Sequence, residues 1–279
     1  MAPGDWMRVA PAASGVERIE AFFAGHAFDP HRHDTYAIGI TLAGLQSFGY
    51  RGSRADSRAG NLIVIHPDEV HDGRAGAEAG FRYRMAYVEP RLIRAALGRS
   101  ARSLPFVRSP VSTDPRLARA LRLALADLER PLEELEADRF VLALADALLA
   151  LDPSAAGRPL PPTSGVAVDR ARQFLDAHHG RAVGSKELEA ITSLDRFALA
   201  RHFRARLGTS PYRYLVMRRL DRARSLLRAG HSLVDAALAC GFADQSHLTR
   251  QFRSAYGLTP GRWRAMHVEA PAPARPRGR

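Results

Sequence analysis

The chain has 279 residues, 46% of them hydrophobic and 25% charged, which suffices for two ordinary domains and excludes wholesale disorder. No run of about 18 apolar residues occurs, so a membrane-spanning helix is not expected. The formal net charge of +12 is lopsided: residues 1–164 hold 20 Arg and 20 acidic residues, whereas residues 165–279 hold 21 Arg and Lys against 9 acidic ones. A neutral half joined to a basic half points to a polyanion partner for the basic one.

Residues 1–15 read as a loose lead-in, with an early acid and no apolar segment of the kind a secretory signal needs. Cys240 is the only cysteine, so no disulfide forms within the chain and a cytoplasmic setting is expected. From about 16 to 90 the texture is β-like. Tyr36-Ala-Ile-Gly-Ile-Thr-Leu42 and Asn61-Leu-Ile-Val-Ile65 are short apolar runs bounded by turn signals such as Ala43-Gly44 and Pro67-Asp68. Several short strands so spaced predict a sandwich or small barrel. His31 and His33, two apart on extended chain, project to one side, and His71 from a facing strand makes a three-nitrogen metal site geometrically accessible. The same residues serve equally as pocket-lining or surface side chains, and His66 reads as a packing or capping residue.

After Pro90 the pattern turns helical. Leu117, Leu121, Ala124, Leu125 and Leu128 recur at steps of three and four, Pro131 interrupts, and a second helix runs through Leu135, Phe140, Leu144, Leu148 and Leu149. These apolar faces are core or, within residues 115–151, a homodimer surface. Residues 152–165, DPSAAGRPLPPTSG, have linker chemistry and mark the boundary between a unit at 1–151 and a second at 166–267; the Pro-rich basic tail from 268 is expected to be disordered.

The second unit contains one pattern twice, 49 positions apart: RHFRARLGTSPYRY from Arg201 and RQFRSAYGLTPGRW from Arg250. A gapless internal match means that one structural unit was built twice. In the first copy Ser185 is the expected cap of a short helix. Asp195 caps a second helix ended by Gly208. In the second copy Ser232, Asp244 and Gly257 do the same work. Helix, tight turn, helix is the shape of a DNA-reading unit. Leu199 and Phe203, and likewise Leu248 and Phe252, face inward. Arg196, Phe197, Ala198, Ala200 and Arg201 are left on the wet side of one helix, and Gln245, Ser246, Thr249 and Arg250 on that of the other, with Arg204 and Arg253 near the edges. Arg grips guanine and Gln grips adenine with paired hydrogen bonds, and apolar side chains meet thymine methyls. Pro211 starts a helix of about 18 residues, roughly 27 Å, that spaces the two readers along one duplex.

Residues 166–267 resemble the DNA-binding domain of AraC/XylS-family transcription regulators, on the stretch AALACGFADQSHLTRQFRSAYGLTPGRWR with RRLDRARSLLRAG before it. The resemblance implies seven helices, two helix-turn-helix units and a joining helix, with the nine outward residues above and His247 as the readers. Ser193-Leu194 stands where Gly-Leu is more usual in that family, which predicts a strained first turn. HRHDTYAIGITLAG followed by GNLIVIHPDEVHD resembles the cupin-type sensor domain placed before such readers. Metal-dependent cupins add a Glu shortly after the paired His; Asp34, Thr35, Tyr36 and Ala37 stand here instead, so that ligand is missing unless Asp34 substitutes. The resemblance therefore implies a small-molecule effector pocket drawing on His31, His33, Tyr36 and His71, with no metal or other cofactor.

The fold class expected is α+β: a cupin-like β-barrel domain with helices, then an all-α domain with two helix-turn-helix units. The function expected is sequence-specific transcription regulation on double-stranded promoter DNA, with RNA polymerase as partner if it activates, no membrane partner and no enzymatic activity. Two rivals stay open at this level: a cupin metal enzyme with a fused basic domain, and a DNA-compacting protein indifferent to sequence.

Overall fold

The computed structural model describes residues 4–11, 13, 15–98, 100–157 and 162–266. The basic tail expected from 268 and part of the linker expected at 152–165 lie outside them. The front half builds strands β1 (Trp6–Val9), β2 (Val16–Phe23), β3 (His26–His31), β4 (Tyr36–Tyr50), β5 (Ser53–Arg58), β6 (Leu62–Ile65), β7 (His71–Ala75) and β8 (Phe81–Val88), then helix α1 (Pro90–Leu97), the short β9 (Val111–Ser112), and helices α2 (Pro115–Leu125) and α3 (Glu134–Leu151). All pairings are antiparallel.

The 15-residue β4 organises the sheets. Its first half pairs with β6 and β8, its second half with β5 and β7, and the register shifts between Thr41 and Ala43 where the strand bends. Gly44 makes the bend: it has φ 73°, and a Cβ there would stand 2.0 Å from the Gly80 carbonyl oxygen. The two sheets thus curl round an interior of Ile19, Phe23, Phe48, Ile63, Phe81 and Met85. Alternation along the strands sends Tyr36, Ile38, Leu62 and Val64 to the opposite face, where α1, α2 and α3 cover them. Arg18, 1% exposed, reaches the carbonyls of Ala124, Asp127 and Arg130 at 2.8–3.0 Å and satisfies the chain end of α2.

The lead-in reading is corrected over Trp6–Val9, which pairs with β2 along Trp6↔Phe22 to Val9↔Ile19. A four-residue strand is too short to announce itself and is fixed by the edge it completes. Of the two helices expected beyond Pro115, both form, and their Leu117, Leu121, Phe140, Leu144 and Leu148 are buried. Leu135 is instead 81% exposed.

The rear half is helical: α4 (Pro162–His178), α5 (Ser185–Thr192), α6 (Arg196–Leu207), α7 (Pro211–Arg228), α8 (Leu233–Ala239), α9 (Gln245–Tyr256) and α10 (Pro260–Ala265). These are the seven helices implied by the resemblance. The first begins at Pro162, inside the stretch expected as linker. The repeat is visible as structure. Phe203 meets Tyr214 edge-on at 5.6 Å, and Phe252 meets Trp263 edge-on at 5.7 Å. The two copies differ in where their cores lie. The first copy forms a small core of its own with α4, whereas the second shares one continuous core with the interior of the sheets.

Candidate DNA-reading faces and ligand cavity

Each reader is built by caps. The Asp195 carboxylate accepts the Phe197 and Ala198 N–H groups, both at 2.9 Å, and Asp244 accepts that of His247 at 2.6 Å. Gly208 and Gly257 end the helices at φ 73° and 66°. The short helix before the first reader starts one residue earlier than expected: Gly184 is its cap, and Glu187 reaches back to the Gly184 N–H at 3.0 Å. Ser193 sits in the turn at φ 56°, ψ 25°, the left-handed region that a Cβ disfavours, so the strain expected from Ser in place of Gly is present. The equivalent turn of the second unit uses Gly241 at φ 74°.

On α6, Arg196, Phe197 and Arg201 are exposed and Ala198 and Ala200 half-buried; on α9, Gln245, Ser246 and Arg250 are exposed and His247 and Thr249 half-buried. Phe197, 63% exposed beneath the Arg196 guanidinium at 4.7 Å, is an apolar ring left on a wet face. His247 is less available than its neighbours: its Nδ1 accepts the Ala243 N–H at 3.3 Å and its ring packs edge-on against Phe242.

The repeated arginines have a different use. Arg253 pairs with Asp29 at 2.6 Å, and its counterpart Arg204 lies 3.6 Å from Asp68. Arg262 pairs with Asp5 at 2.8 Å and donates to the His26 carbonyl at 2.9 Å, while its counterpart Arg213 donates to the Arg32 carbonyl. Both copies therefore bolt onto the front domain through equivalent positions. Part of the basic excess meets acids of the front half rather than facing outward. Backbone bonds reinforce the joint: Asp29 N–H to Gly257 O at 3.0 Å, Arg32 N–H to Ser254 O at 3.2 Å and Met7 N–H to Met266 O at 3.0 Å.

A cavity of about 460 Å³ lies in this joint. Its floor is the sheet interior, with Ile19, Ala37, Phe48, Ile63, Ile65 and Met85, and its roof is α7 and the last two helices, with Met217, Arg218, Arg224, Tyr256 and Trp263. Arg224 forms a two-pronged pair with Glu17 at 2.7 and 2.9 Å, and Arg218 pairs with the buried Asp34 at 2.9 Å. Burial lifts the Asp34 carboxyl to about 6 against the pull of Arg218.

Of the four pocket residues expected, His31, His33 and His71 do converge on this cavity, and burial holds all three rings neutral, His71 at about 4. Tyr36 is a correction. It points to the opposite side of its sheet, into the core beneath α1–α3, where its hydroxyl donates to the Pro105 carbonyl at 2.8 Å. His66 packs as expected, stacked on Phe106 at 4.1 Å. Among the described residues, no three His, Cys, Asp or Glu side chains stand so as to hold a metal ion together. Sequence reasoning did not find Arg218 and Arg224. Both lie on a helix whose pattern reads as a spacer, and only the fold shows what they face.

Two family models match in tandem: the AraC-like ligand binding domain over residues 14–149 and a helix-turn-helix domain over residues 188–266. The HTH-type transcriptional regulator YbfI of Bacillus subtilis is 27% identical over 82% of this chain and 86% of its own. The transcriptional activator RhaS of Klebsiella pneumoniae is 35% identical, over 31% of this chain and 32% of its own. ToxT of Vibrio cholerae shares the fold at 11% identity, with a TM-score of 0.63 over 91% of this chain and 98% of that one. With a sheet domain that carries a cavity and a twice-built helix-turn-helix unit behind it, this chain belongs to the AraC/XylS family of DNA-binding transcription regulators.

Proposed function

We propose that the protein reads promoter DNA in the cytoplasm through α6 and α9, and that a small molecule in the joint cavity sets how firmly the second reader is held. The observation that carries this reading is that one cavity has walls from both halves. A ligand there changes contacts with α7 and α10 as well as with the sheets, which gives it different affinity for the docked and released arrangements, the requirement for control. Arg196, Phe197, Ala198, Ala200 and Arg201 form the first reading face in this proposal, and Gln245, Ser246, His247, Thr249 and Arg250 the second. One ToxT structure of the same fold holds an unsaturated fatty acid, which supports an organic effector. The likeness to RhaS activators supports activation through RNA polymerase.

The reading gives the protein regulation without a catalytic step. It divides the chain into a sensor at 1–151, a connection at 152–165, a DNA-binding unit at 166–267 and a tail from 268. Leu135 and Leu142, 81% and 52% exposed and seven apart on α3, supply a surface for a second copy. Selection of bound duplexes from a random pool by the full-length protein tests the proposal. Enrichment of a motif with two blocks about one helical turn apart is the expected result. Recovery of random sequence refutes it, and sequence-indifferent binding that falls steeply with salt assigns the protein to DNA compaction.

A further inference from the structure

The histidine side of the cavity presents hydrogen-bond acceptors. Nδ1 of His31, His33 and His71 lies 2.8, 2.9 and 3.0 Å from the carbonyl oxygens of Asp29, Thr35 and Glu69. A carbonyl oxygen only accepts, so each Nδ1 carries the proton and each neutral ring keeps a bare lone pair at Nε2. The rings stand together, with centroids 4.1 Å apart for His31 and His71, 4.9 Å for His33 and His71 and 6.1 Å for His31 and His33. His33 is 4% exposed, and its Nε2 is buried with no hydrogen-bond partner among the described residues. Asp34 and Gln46, which also line the cavity, each hold a buried oxygen in the same condition. Buried acceptors without donors are costly. Arg218 and Arg224, also in the lining, each keep a buried Nε–H without a partner among the described residues, so unmet acceptors outnumber unmet donors by three to two and the histidine side calls for a ligand that brings donors.

The charges select among donors. Glu17, Asp34, Asp72, Glu89 and Asp221 line the cavity against Arg218, Arg224 and Arg228, five acids to three bases. Arg218 and Arg224 are held by Asp34 and Glu17, and Arg228 lies over the Trp263 ring at 5.3 Å. An anionic head would meet imidazole lone pairs and an excess of carboxylates. A cation meets the reverse.

We propose that the effector is an amphipathic amine, its ammonium group donating to Nε2 of His31, His33 and His71 and its hydrocarbon body lying on Ile63, Phe48 and Met85. This inference rests on the cavity being the effector site. It assigns a head group opposite in charge to the acid named with one ToxT structure.

Calorimetric titration of the full-length chain with 4-phenylbutylamine, 4-phenylbutan-1-ol, 4-phenylbutanoate and zinc ion, at roughly pH 7.5 where the rings are neutral, tests it. The amine is expected to bind at least about ten-fold tighter than the alcohol or the acid. His33→Phe, which keeps the ring volume, and His71→Gln, at a less buried position, are each expected to erase that preference with the far-UV circular dichroism of the wild type retained. Equal or tighter binding of the alcohol or acid overturns the inference and leaves the cavity reading standing. Tight zinc binding that either variant abolishes overturns it in favour of a metal site. If none of the four binds, the inference fails, and the cavity reading is then judged separately: Nile red taken up by the wild type but not by Ile63→Arg upholds it, and equal uptake by both removes it.

Discussion

Replacing His66 with glutamine is expected to make the fold less sensitive to acid. His66 is 2% exposed; its Nε2 accepts the Val107 N–H at 2.9 Å, and its Nδ1 lies 2.9 Å from the Tyr50 hydroxyl. A proton added at Nε2 would set N–H against N–H inside the protein. Burial, assisted by the nearby Arg51 charge, lowers this ring to about 4 from the ordinary 6.5. As pH falls the unfolded ring takes up its proton near 6.5, whereas the native ring resists until about 4. The stabilisation is therefore complete above 6.5 and is lost as pH falls through that window. At 1.36 kcal/mol per unit the full loss is about 3.4 kcal/mol, of which about 2 kcal/mol is gone by about pH 5. Glutamine offers an oxygen to the Val107 N–H and does not titrate. Urea unfolding followed by far-UV circular dichroism at about pH 7 and about pH 5 reads the difference. Wild type is expected to lose about 2 kcal/mol more than His66→Gln between the two. An equal loss in both proteins would refute the reasoning.

Arg250→Ala is expected to weaken binding to the selected duplex by about 1–3 kcal/mol with unchanged helicity, measured by fluorescence anisotropy; unchanged affinity removes Arg250 from the reading face. Ser193→Gly relieves the left-handed backbone at φ 56° and is expected to stabilise the helical half by about 0.5–1 kcal/mol; a lowered melting temperature contradicts that account. Phe252→Ala is expected to cost about 3–5 kcal/mol in urea unfolding, because the ring is fully buried in the core shared by both halves; a loss below about 1 kcal/mol would show that the joint is not a packed core. Arg224→Ala combined with Arg253→Ala removes the pairs to Glu17 and Asp29 and is expected to split thermal unfolding into two transitions; one unshifted transition denies those pairs a part in joining the halves.

The helical half was legible because its signals are local. Asp195, Asp244, Gly208, Gly257 and Pro211 are caps and breakers that act within a turn of their own position, and the 49-residue repeat doubles every one of them. The His31 and His33 pair was legible for a related reason: spacing by two on extended chain fixes a common side. Tyr36 was misplaced by the complementary rule. It is five residues beyond His31, across a turn, and the alternation restarts there, so which face it takes depends on the sheet that receives it. The lead-in strand, Leu135 and the cap at Gly184 failed similarly, since each depends on a neighbour more than on its own sequence.

Local propensity, periodicity and duplication fixed what the pieces are: a β-rich front, a helical pair, and two copies of one reader with a rod between them. Tertiary structure alone decided how they meet. The core shared by the sheets with α7–α10, the Arg253–Asp29 and Arg224–Glu17 pairs and the cavity beneath α7 join residues some two hundred positions apart. No local pattern encodes such partners, because burial and ion pairing depend on what arrives from across the fold rather than on what lies beside a residue in the chain.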